Sequence, residues 1–426
     1  MLAAPCAWSC PAYVHAKELP VPLKGARQDV RAFALEESAG VRRWRSIPLQ
    51  VDPLDEKGVL LAPAEGGLPL NQQPLATLDR IDLRREGFGP RASASDPVPC
   101  QGATQVLELG SPDALDRYGY LTVCPNDGGK TLAREANPVS VNQSIQKINA
   151  QRFEYEYQPN NQLMYKSLIA KGPWGAPVLA AADADLNLHL DVKSFFTMDF
   201  TNKDVESYVN STSAGKVGAA SSIDFFLSLL FFKINLKMAT TASFFADSAH
   251  IPSLIDVPVE APNRLNPGSG LLYSWTRKAA TIDQSNPLRT LPNANPKELL
   301  AGNTTVAKTG LPYCKGEMCV YRLRGSVATE QFGLDINVPK NVVAMGFFPV
   351  FVGDVAQFKK DMNWDNEPTE GKDRVAIFFN NSGLRKGQYK IDQWIRLGKA
   401  EDFRSVCPRP VKMIGQVKLS SKAVAH

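Results

Sequence analysis

Hydrophobic and polar residues alternate along the segment from Ala184 to Thr201. Alanine, leucine, valine, phenylalanine and methionine occupy most even positions, whereas aspartate, asparagine, histidine and lysine occupy most odd ones. Successive side chains of a β-strand point to opposite faces, so this pattern predicts a strand with one buried and one solvated face. Such a strand is longer than the usual five or six residues, and we expect a bend or bulge near Ser194 and Phe195.

A second long segment runs from Ile223 to Phe245 and also has one apolar face. Its first half, Phe225–Phe232, is apolar on both faces, which predicts cover on both sides by a second sheet, a helix or lipid. The polar stretch 202–222 is predicted to connect the two long segments and to make them antiparallel neighbours.

Shorter runs bounded by Gly, Pro, Asn or Asp predict further strands at 30–35, 41–52, 78–83, 153–157, 333–338, 344–352 and 374–380. Helical periodicity is weak and confined to 112–117, 355–362 and 390–397. The sequence therefore predicts a mainly β protein. We expect an antiparallel β-sandwich or curved-sheet architecture with unusually long strands, plus an N-terminal β module.

Apolar content thins between residues 130 and 150, and we place a domain boundary there. Residues 1–140 are then a loop-rich N-terminal β module, and residues 141–398 are the long-stranded antiparallel domain. Residues 399–426 form a basic C-terminal arm.

Composition places the chain among folded globular proteins, with 426 residues, 44% hydrophobic and 21% charged. The net charge is only +5, but the last 28 residues contain six Lys or Arg and two acids, so +4 of it lies in the C-terminal arm. The arm is predicted to contact an anionic surface peripherally or to add a strand to a partner's sheet; a solubilising tail is the alternative. The basic cluster Arg42–Arg45 is interpreted as a solvated strand face, and no sequence-specific nucleic-acid binding is expected.

Cysteine spacing indicates the compartment. The seven cysteines allow three local pairs, Cys6 with Cys10, Cys100 with Cys124, and Cys314 with Cys319, with Cys407 left over. We predict disulfides and hence a periplasmic, outer-membrane-associated or extracellular protein, the alternative being a reduced protein with buried thiols. The N-terminal residues lack the basic and apolar regions of a signal peptide. The densest apolar run is too short for a transmembrane helix.

A short N-terminal segment resembles a known group of proteins. Ile47-Pro-Leu-Gln-Val-Asp52, followed by Asp79-Arg-Ile-Asp82 and Phe88-Gly-Pro-Arg91, is similar to the opening β-domain of uncharacterised exported bacterial proteins, some of them linked to polysaccharide degradation. Those domains carry an Asp-Glu-apolar run and an adjacent Gly-Arg pair, from which this chain departs. The resemblance implies export and a β-rich N-terminal module.

Common catalytic motifs are absent: the sequence has no phosphate-binding loop, nucleophile elbow, dinucleotide fingerprint or zinc-binding helix. No cofactor or metal is predicted. Paired carboxylates suit glycan hydrolysis, and residues i and i+2 of a strand share a face, so Asp183 and Asp185 are the candidate catalytic pair. The alternative is that these acids keep a half-exposed strand soluble.

Trp364 is the best candidate for ligand binding because Asn363 and Asp365 flank it. An exposed indole ring could stack on a sugar while the amide and carboxylate accept and donate hydrogen bonds. The alternative is a tryptophan that caps the end of a core.

The favoured hypothesis is an exported, non-catalytic binding or structural protein of the bacterial periplasm or cell surface, with a protein or a glycan as partner. One alternative is a glycan-active hydrolase or lyase that uses paired carboxylates. Another is a lipid-binding or outer-membrane-associated protein, based on the apolar run Phe225–Phe232.

Overall fold

The structure is a computed structural model. It describes residues 11–62, 67–84, 87–103, 105–111, 115–125, 137–142, 146–159, 161–172, 177–194, 196–229, 234–257, 260–266, 268–278, 281–282, 313–327, 330–362, 364, 374–398 and 409–419. Strands account for 58% of the structure and helices for 10%, and nearly all strand pairs are antiparallel, so the predicted mainly β class is confirmed.

Two small sheets contain the N-terminal strands. Sheet A has four strands in the order β26 (Arg409–Pro410), β1 (Ala12–His15), β5 (Arg80–Leu83) and β4 (Leu49–Asp52). Sheet B has five, in the order β27 (Lys412–Val417), β6 (Val106–Gly110), β7 (Tyr118–Val123), β2 (Val30–Ser38) and β3 (Val41–Ile47). Ile81 and Leu83 of sheet A and Leu107, Leu109 and Leu121 of sheet B share one fully buried hydrophobic cluster.

The described part of the C-terminal segment belongs to these two sheets. β26 pairs in parallel with β1, and β27 pairs antiparallel with β6. Residues 409–419 therefore add strands to sheets of their own chain, and addition of a strand to a partner's sheet by the C-terminal arm stays a prediction. Its contact with an anionic surface stays a prediction.

Two nine-stranded sheets form the rest of the described chain. Sheet C has the order β23 (Pro349–Val352), β24 (Arg374–Asn380), β18 (Gly270–Arg277), β12 (Val178–Asp191), β11 (Tyr165–Ala170), β10 (Phe153–Tyr157), β9 (Lys147–Ala150) and β8 (Val139–Asn142), with β13 (Thr197–Phe200) also pairing with β12.

Sheet D has the order β14 (Val205–Ala214), β15 (Gly218–Leu229), β16 (Ile234–Phe245), β17 (Ser248–Val257), β25 (Gly387–Gly398), β22 (Glu330–Pro339), β21 (Met318–Val327) and β19 (Thr281–Ile282), with β20 (Tyr313–Lys315) pairing with β21.

Sheets C and D pack face to face around the main hydrophobic core. Tyr155 and Ile377 of sheet C lie with Phe244 and Ile336 of sheet D, all at most 2% exposed. The Tyr155 and Phe244 rings are 5.3 Å apart. The alternating burial along Phe153–Tyr157 places its aromatic residues in this core and its two glutamates toward solvent. The predicted sandwich is thus present.

Both long segments fold as hairpins rather than as single strands. The chain reverses after β12, and β13 pairs back onto it, so the irregularity expected near Ser194 is a turn; Ser194 has a φ of 62°. The second segment divides into β15 and β16, which pair with each other. The stretch 202–222, predicted to connect the two long segments, contains strand β14. Most side chains of the run Phe225–Phe232 lie outside the described residues.

Short helices connect the strands. In the part of the chain that the structure describes, the α-helices are α1 (Ala261–Arg264), α2 (Lys340–Ala344) and α3 (Val355–Asp361), and single 3₁₀ turns occur at Ala16–Glu18, Arg27–Asp29, Leu70–Gln72 and Asn202–Asp204. Asp354 caps α3 by accepting a hydrogen bond from the Gln357 backbone N–H at 2.9 Å. The helix predicted at 355–362 is confirmed, whereas 390–397 is strand β25. None of the described helices has the length and hydrophobicity that a membrane span requires.

Two of the predicted disulfides are present. Cys100 bonds to Cys124 and joins the loop before β6 to the end of β7; Cys314 bonds to Cys319 across the β20–β21 hairpin. Cys6, Cys10 and Cys407 lie outside the described residues. Disulfides of this kind are compatible with an extracellular or periplasmic location.

Candidate functional site

Asp183 and Asp185, the candidate catalytic pair, both lie on β12, but the strand is irregular between them. A β-bulge separates Ala182 from Asp185 in the pairing with β18. Asp183 sits in this bulge with a φ of 51°, in the left-handed region that non-glycine residues rarely adopt, and its side chain is exposed. The i, i+2 spacing on which the pair was predicted is therefore interrupted, and a catalytic role for the two acids stays a prediction.

Asp185 belongs to a polar row that α3 covers. Its carboxylate accepts a hydrogen bond from Asn187 Nδ2 at 3.0 Å and lies 4.0 Å from the Arg374 guanidinium. Lys359 of α3 is 7% exposed and donates from Nζ to Asn187 Oδ1 at 3.1 Å. Burial lowers the pKa of Lys359, and the charge of Asp185 opposes that shift. The row therefore joins α3 to sheet C.

Trp364 lies against the same row. Its ring stacks on His189 with 4.7 Å between centroids, and His189 Nδ1 is 2.6 Å from Asp199 Oδ1. The indole is only 5% exposed and contacts Phe358 and Phe378 edge-on, so it fits the alternative of a tryptophan that caps a core. Asn363 and Asp365 lie outside the described residues, and ligand binding by this segment stays a prediction.

The structure thus brings Asp185 and Trp364 to one face of β12 through Asn187, His189 and α3, although 179 positions separate them in the sequence (364 − 185). The solvated face predicted for β12 is wrong at Asn187 and His189, which are 5% and 6% exposed. This cluster has the character of a buried polar contact between a helix and a sheet.

A cavity of about 190 Å³ lies at the seam between sheets C and D. Its walls come from the β8–β9 hairpin, the β10–β11 hairpin and the strands β14 and β15. The lining residues are mostly hydroxyl and amide side chains: Val141, Asn142, Gln146, Tyr157, Gln162, Tyr208, Val209, Asn210, Ser211, Thr212 and Ser221. A cavity of about 150 Å³ can hold benzene, so this one has room for a single six-membered ring with small substituents.

The backbone around the cavity departs from regular structure in three places. Gln146 has a φ of 51°, and its carbonyl accepts a hydrogen bond from the Tyr157 N–H at 3.0 Å. β10 has a register shift at Glu156/Tyr157, and β14 has one between Val209 and Ser211. Bulges redirect side chains and concentrate next to functional sites. Here they surround one cavity.

Two buried hydroxyls in the cavity wall make no hydrogen bond with the chain. Tyr157 is 3% exposed and Ser221 0%, yet neither Tyr157 Oη nor Ser221 Oγ has a partner within the described residues. Burial raises the pKa of Tyr157 well above its usual range, and the nearby Ser221 hydroxyl opposes this rise, although the geometry between the two oxygens is not that of a hydrogen bond. Buried polar atoms almost always have a partner, so these two mark a place where a ligand or water hydroxyl fits.

The wall is held rigidly by the β10–β11 hairpin. The backbone N–H of Leu163 donates to Ser207 Oγ at 2.7 Å, and Ser207 Oγ donates to Asn161 Oδ1 at 2.6 Å. Gln162 Oε1 accepts from the Val209 N–H. These bonds tie sheet C to strand β14 beside the cavity and fix its shape.

The cavity carries no formal charge. None of its lining residues is an acid, a histidine, a lysine or an arginine, and Tyr157 stays neutral at physiological pH. Such a site has hydrogen-bond donors and acceptors for recognition but no group suited to proton transfer near neutrality. Across the described chain, no three His, Cys, Asp or Glu side chains are arranged to hold a metal ion.

Sequence reasoning missed this site because its four segments are distant in the chain. The available signal was the row of hydroxyls Ser211-Thr-Ser213 and Ser221-Ser222, which sits where a connecting loop was predicted. Hydroxyls on a deeply buried strand indicate a polar contact or a ligand.

Comparison with known proteins gives little further information. No protein-family model matches the sequence, and no curated protein matches it significantly. The similar solved structures include an alpha-mannosidase from Enterococcus faecalis, at 9% identity with a TM-score of 0.37 over 94% of this chain. A protein in glycosyl hydrolase family 38 from the same organism has 9% identity and a TM-score of 0.39 over 88% of this chain. The chain spans about 40% of the length of each of these two proteins.

Proposed function

We propose that the protein is an exported, non-catalytic binding protein whose cavity holds one ring of a neutral glycan. The observation that carries the proposal is the pair of buried, unpartnered hydroxyls, Tyr157 Oη and Ser221 Oγ, in the wall of an uncharged cavity. Neutral sugars present several hydroxyls that both donate and accept, which is the chemistry that such a wall complements.

Tyr208 gives the cavity an aromatic rim. It lines the cavity and is 45% exposed, so part of this residue lies at the surface. An amphipathic ring beside buried hydrogen-bonding groups suits a ligand with apolar C–H faces and polar edges. A lipid would meet too few apolar groups here, which disfavours the lipid-binding alternative for this cavity.

The hydrolase alternative depends on Asp183 and Asp185, which lie outside the cavity lining. A glycan bound in the cavity therefore has no carboxylate from these two residues next to it. Export is supported by the Cys100–Cys124 and Cys314–Cys319 disulfides.

Calorimetric titration with glucose, galactose, mannose and N-acetylglucosamine tests the proposal, with glucuronate as the charged comparison. We expect at least one neutral sugar to bind and glucuronate to bind at least tenfold more weakly, because the cavity offers no counter-charge. Absence of binding by all four neutral sugars, or equal affinity for glucuronate, would contradict the proposed function. Release of reducing sugar from an oligosaccharide would contradict its non-catalytic part.

Ser221→Ala and Ser222→Ala form a matched pair of variants. Both serines are 0% exposed with an unpartnered Oγ, but only Ser221 lines the cavity. We expect Ser221→Ala to weaken sugar binding about 3- to 10-fold, the effect of one lost hydrogen bond, and Ser222→Ala to leave it unchanged. Equal effects of the two substitutions would show that the cavity is not the binding site.

A further inference from the structure

Two buried aspartates share one arginine where sheet A meets sheet D. Arg80 donates from Nε to Asp82 Oδ2 at 2.9 Å and from one terminal nitrogen to Asp52 Oδ2 at 3.2 Å. Asp52 and Asp82 are 1% and 2% exposed, and no described residue other than Arg80 forms an ion pair with either. With both carboxylates ionised, this triad of Asp52, Arg80 and Asp82 carries a net charge of −1 away from water.

The triad bonds directly to sheet D. The same nitrogen of Arg80 donates to Ser243 Oγ of β16 at 2.9 Å, and Ser213 Oγ of β14 donates to Asp52 Oδ1 at 3.4 Å. Gln50 links the two sides, because its Nε2 donates to Asp52 at 2.7 Å while its Oε1 accepts from the Gly218 N–H of β15 at 3.1 Å. The triad is therefore part of the contact between the two sheets.

Burial raises the pKa of Asp82 to about 7; the Asp52 charge adds to the shift and Arg80 opposes it. Since Asp52 and Asp82 share Arg80, this proton belongs to the pair of carboxylates. Other charged or titratable groups surround the triad: Tyr13 opposite Asp82 on β1, with His15 and Glu18 beyond it, and His250, Lys390 and Asp392 on β17 and β25. The Arg80 charge lowers the pKa of His250, which burial has already lowered.

We propose that the triad is a pH-sensitive clamp between sheets A and D, closed when the two carboxylates share one proton and weakened when both are ionised. With the proton present, one carboxyl and one carboxylate contact the guanidinium. When this proton is lost, the two buried carboxylates share the single positive charge of Arg80. Burying a negative charge without its own counter-charge costs free energy, so the contact weakens.

The direction of the pH effect on stability follows from the raised pKa of Asp82. Between pH 4 and 7 the folded protein holds a proton at Asp82 that the unfolded chain has released, so stability from this group is greatest below pH 4 and decreases as the pH rises to 7. Above about pH 8 the carboxyl is ionised in both states and its contribution levels off. The clamp is thus strongest in mildly acidic surroundings.

Urea unfolding of the wild type and Asp82→Asn at pH 5, 6, 7, 8 and 9 tests the proposal, because asparagine resembles the protonated acid. We expect the wild-type unfolding constant, divided by that of Asp82→Asn, to rise by up to about tenfold per pH unit between pH 5 and 7. This ratio should be constant above pH 8. His250 is present in both proteins, so its titration cancels. A ratio that does not change with pH would overturn the proposal.

Asp79→Asn is the matched control. Asp79 is equally buried but pairs with Arg27 at 2.6 and 3.0 Å, and among the described residues no second carboxylate forms an ion pair with that arginine. We expect Asp79→Asn to be less stable than the wild type by a similar amount from pH 5 to 9, without the pH-dependent ratio expected for Asp82→Asn. If Asp82→Asn does not fold, hydrogen-exchange protection at the Gly218 amide of the wild type provides the test. Protection should fall between pH 5 and 7, and unchanged protection would overturn the clamp.

Discussion

Replacing Tyr157 by phenylalanine is expected to stabilise the protein and weaken ligand binding at the same time. Tyr157 is 3% exposed and its hydroxyl has no partner in the described chain. Burying a hydroxyl without a hydrogen bond costs about 1–3 kcal/mol. A water molecule in the cavity can offset part of this cost by bonding to the hydroxyl. We therefore expect Tyr157→Phe to raise the free energy of unfolding by about 1 kcal/mol. The ring contacts with Tyr155 and Phe244 are retained.

The same hydroxyl is expected to bond to a ligand hydroxyl, and losing one neutral hydrogen bond weakens affinity by about 0.5–1.5 kcal/mol, or roughly 2- to 12-fold. Urea unfolding measures the first effect and calorimetric titration with a neutral sugar the second. Tyr155→Phe is the control for affinity, since it removes a hydroxyl from the same strand outside the cavity lining. A loss of stability above about 1 kcal/mol would refute the reasoning, because the hydroxyl would then be a structural hydrogen-bond partner.

Three further variants test the structure itself. Asp335→Asn removes the 0% exposed carboxylate that pairs with Arg322, Arg324 and Arg396, and we expect it to cost about 3–5 kcal/mol in urea unfolding. Replacing Cys100 and Cys124 by serine opens a loop with a sequence separation of 24, which should cost about 3 kcal/mol; intact mass with and without reductant confirms the bond. Gly89→Ala would place a Cβ 1.9 Å from the Leu35 carbonyl oxygen, so we expect a loss of more than about 2 kcal/mol and a lower melting temperature.

Local patterns were sufficient to predict several strands. The segments 153–157 and 374–380 coincide with β10 and β24, because turn-forming residues bound each of them and their burial follows from their own sequence. The mainly β class follows from the same local signals.

Where both faces of a strand are covered, the pattern misleads. The segment 390–397 was predicted as a helix because Ile391, Trp394 and Leu397 are spaced three residues apart. It is instead part of β25, which lies between β17 and β22, and all three residues are at most 6% exposed. A strand inside a sandwich loses the period of two that marks a half-exposed strand, so helical spacing can arise by coincidence.

The candidate site depends on contacts that local patterns do not contain. Tyr157 and Ser221 meet only because sheets C and D pack against each other, and Asp52 meets Arg80 only through the pairing of β4 with β5. The division at residues 140 and 398 and the resemblance of residues 47–91 to exported proteins remain predictions.

The pairing of β6 with β27 constrains the order in which the protein can be completed during synthesis. About 300 residues lie between Val106–Gly110 and Lys412–Val417. A ribosome therefore releases the early strands long before their edge partner exists, and the β6 edge stays open to other strands in that interval. Early termination of translation therefore leaves fragments with an open β6 edge, which makes them prone to aggregate.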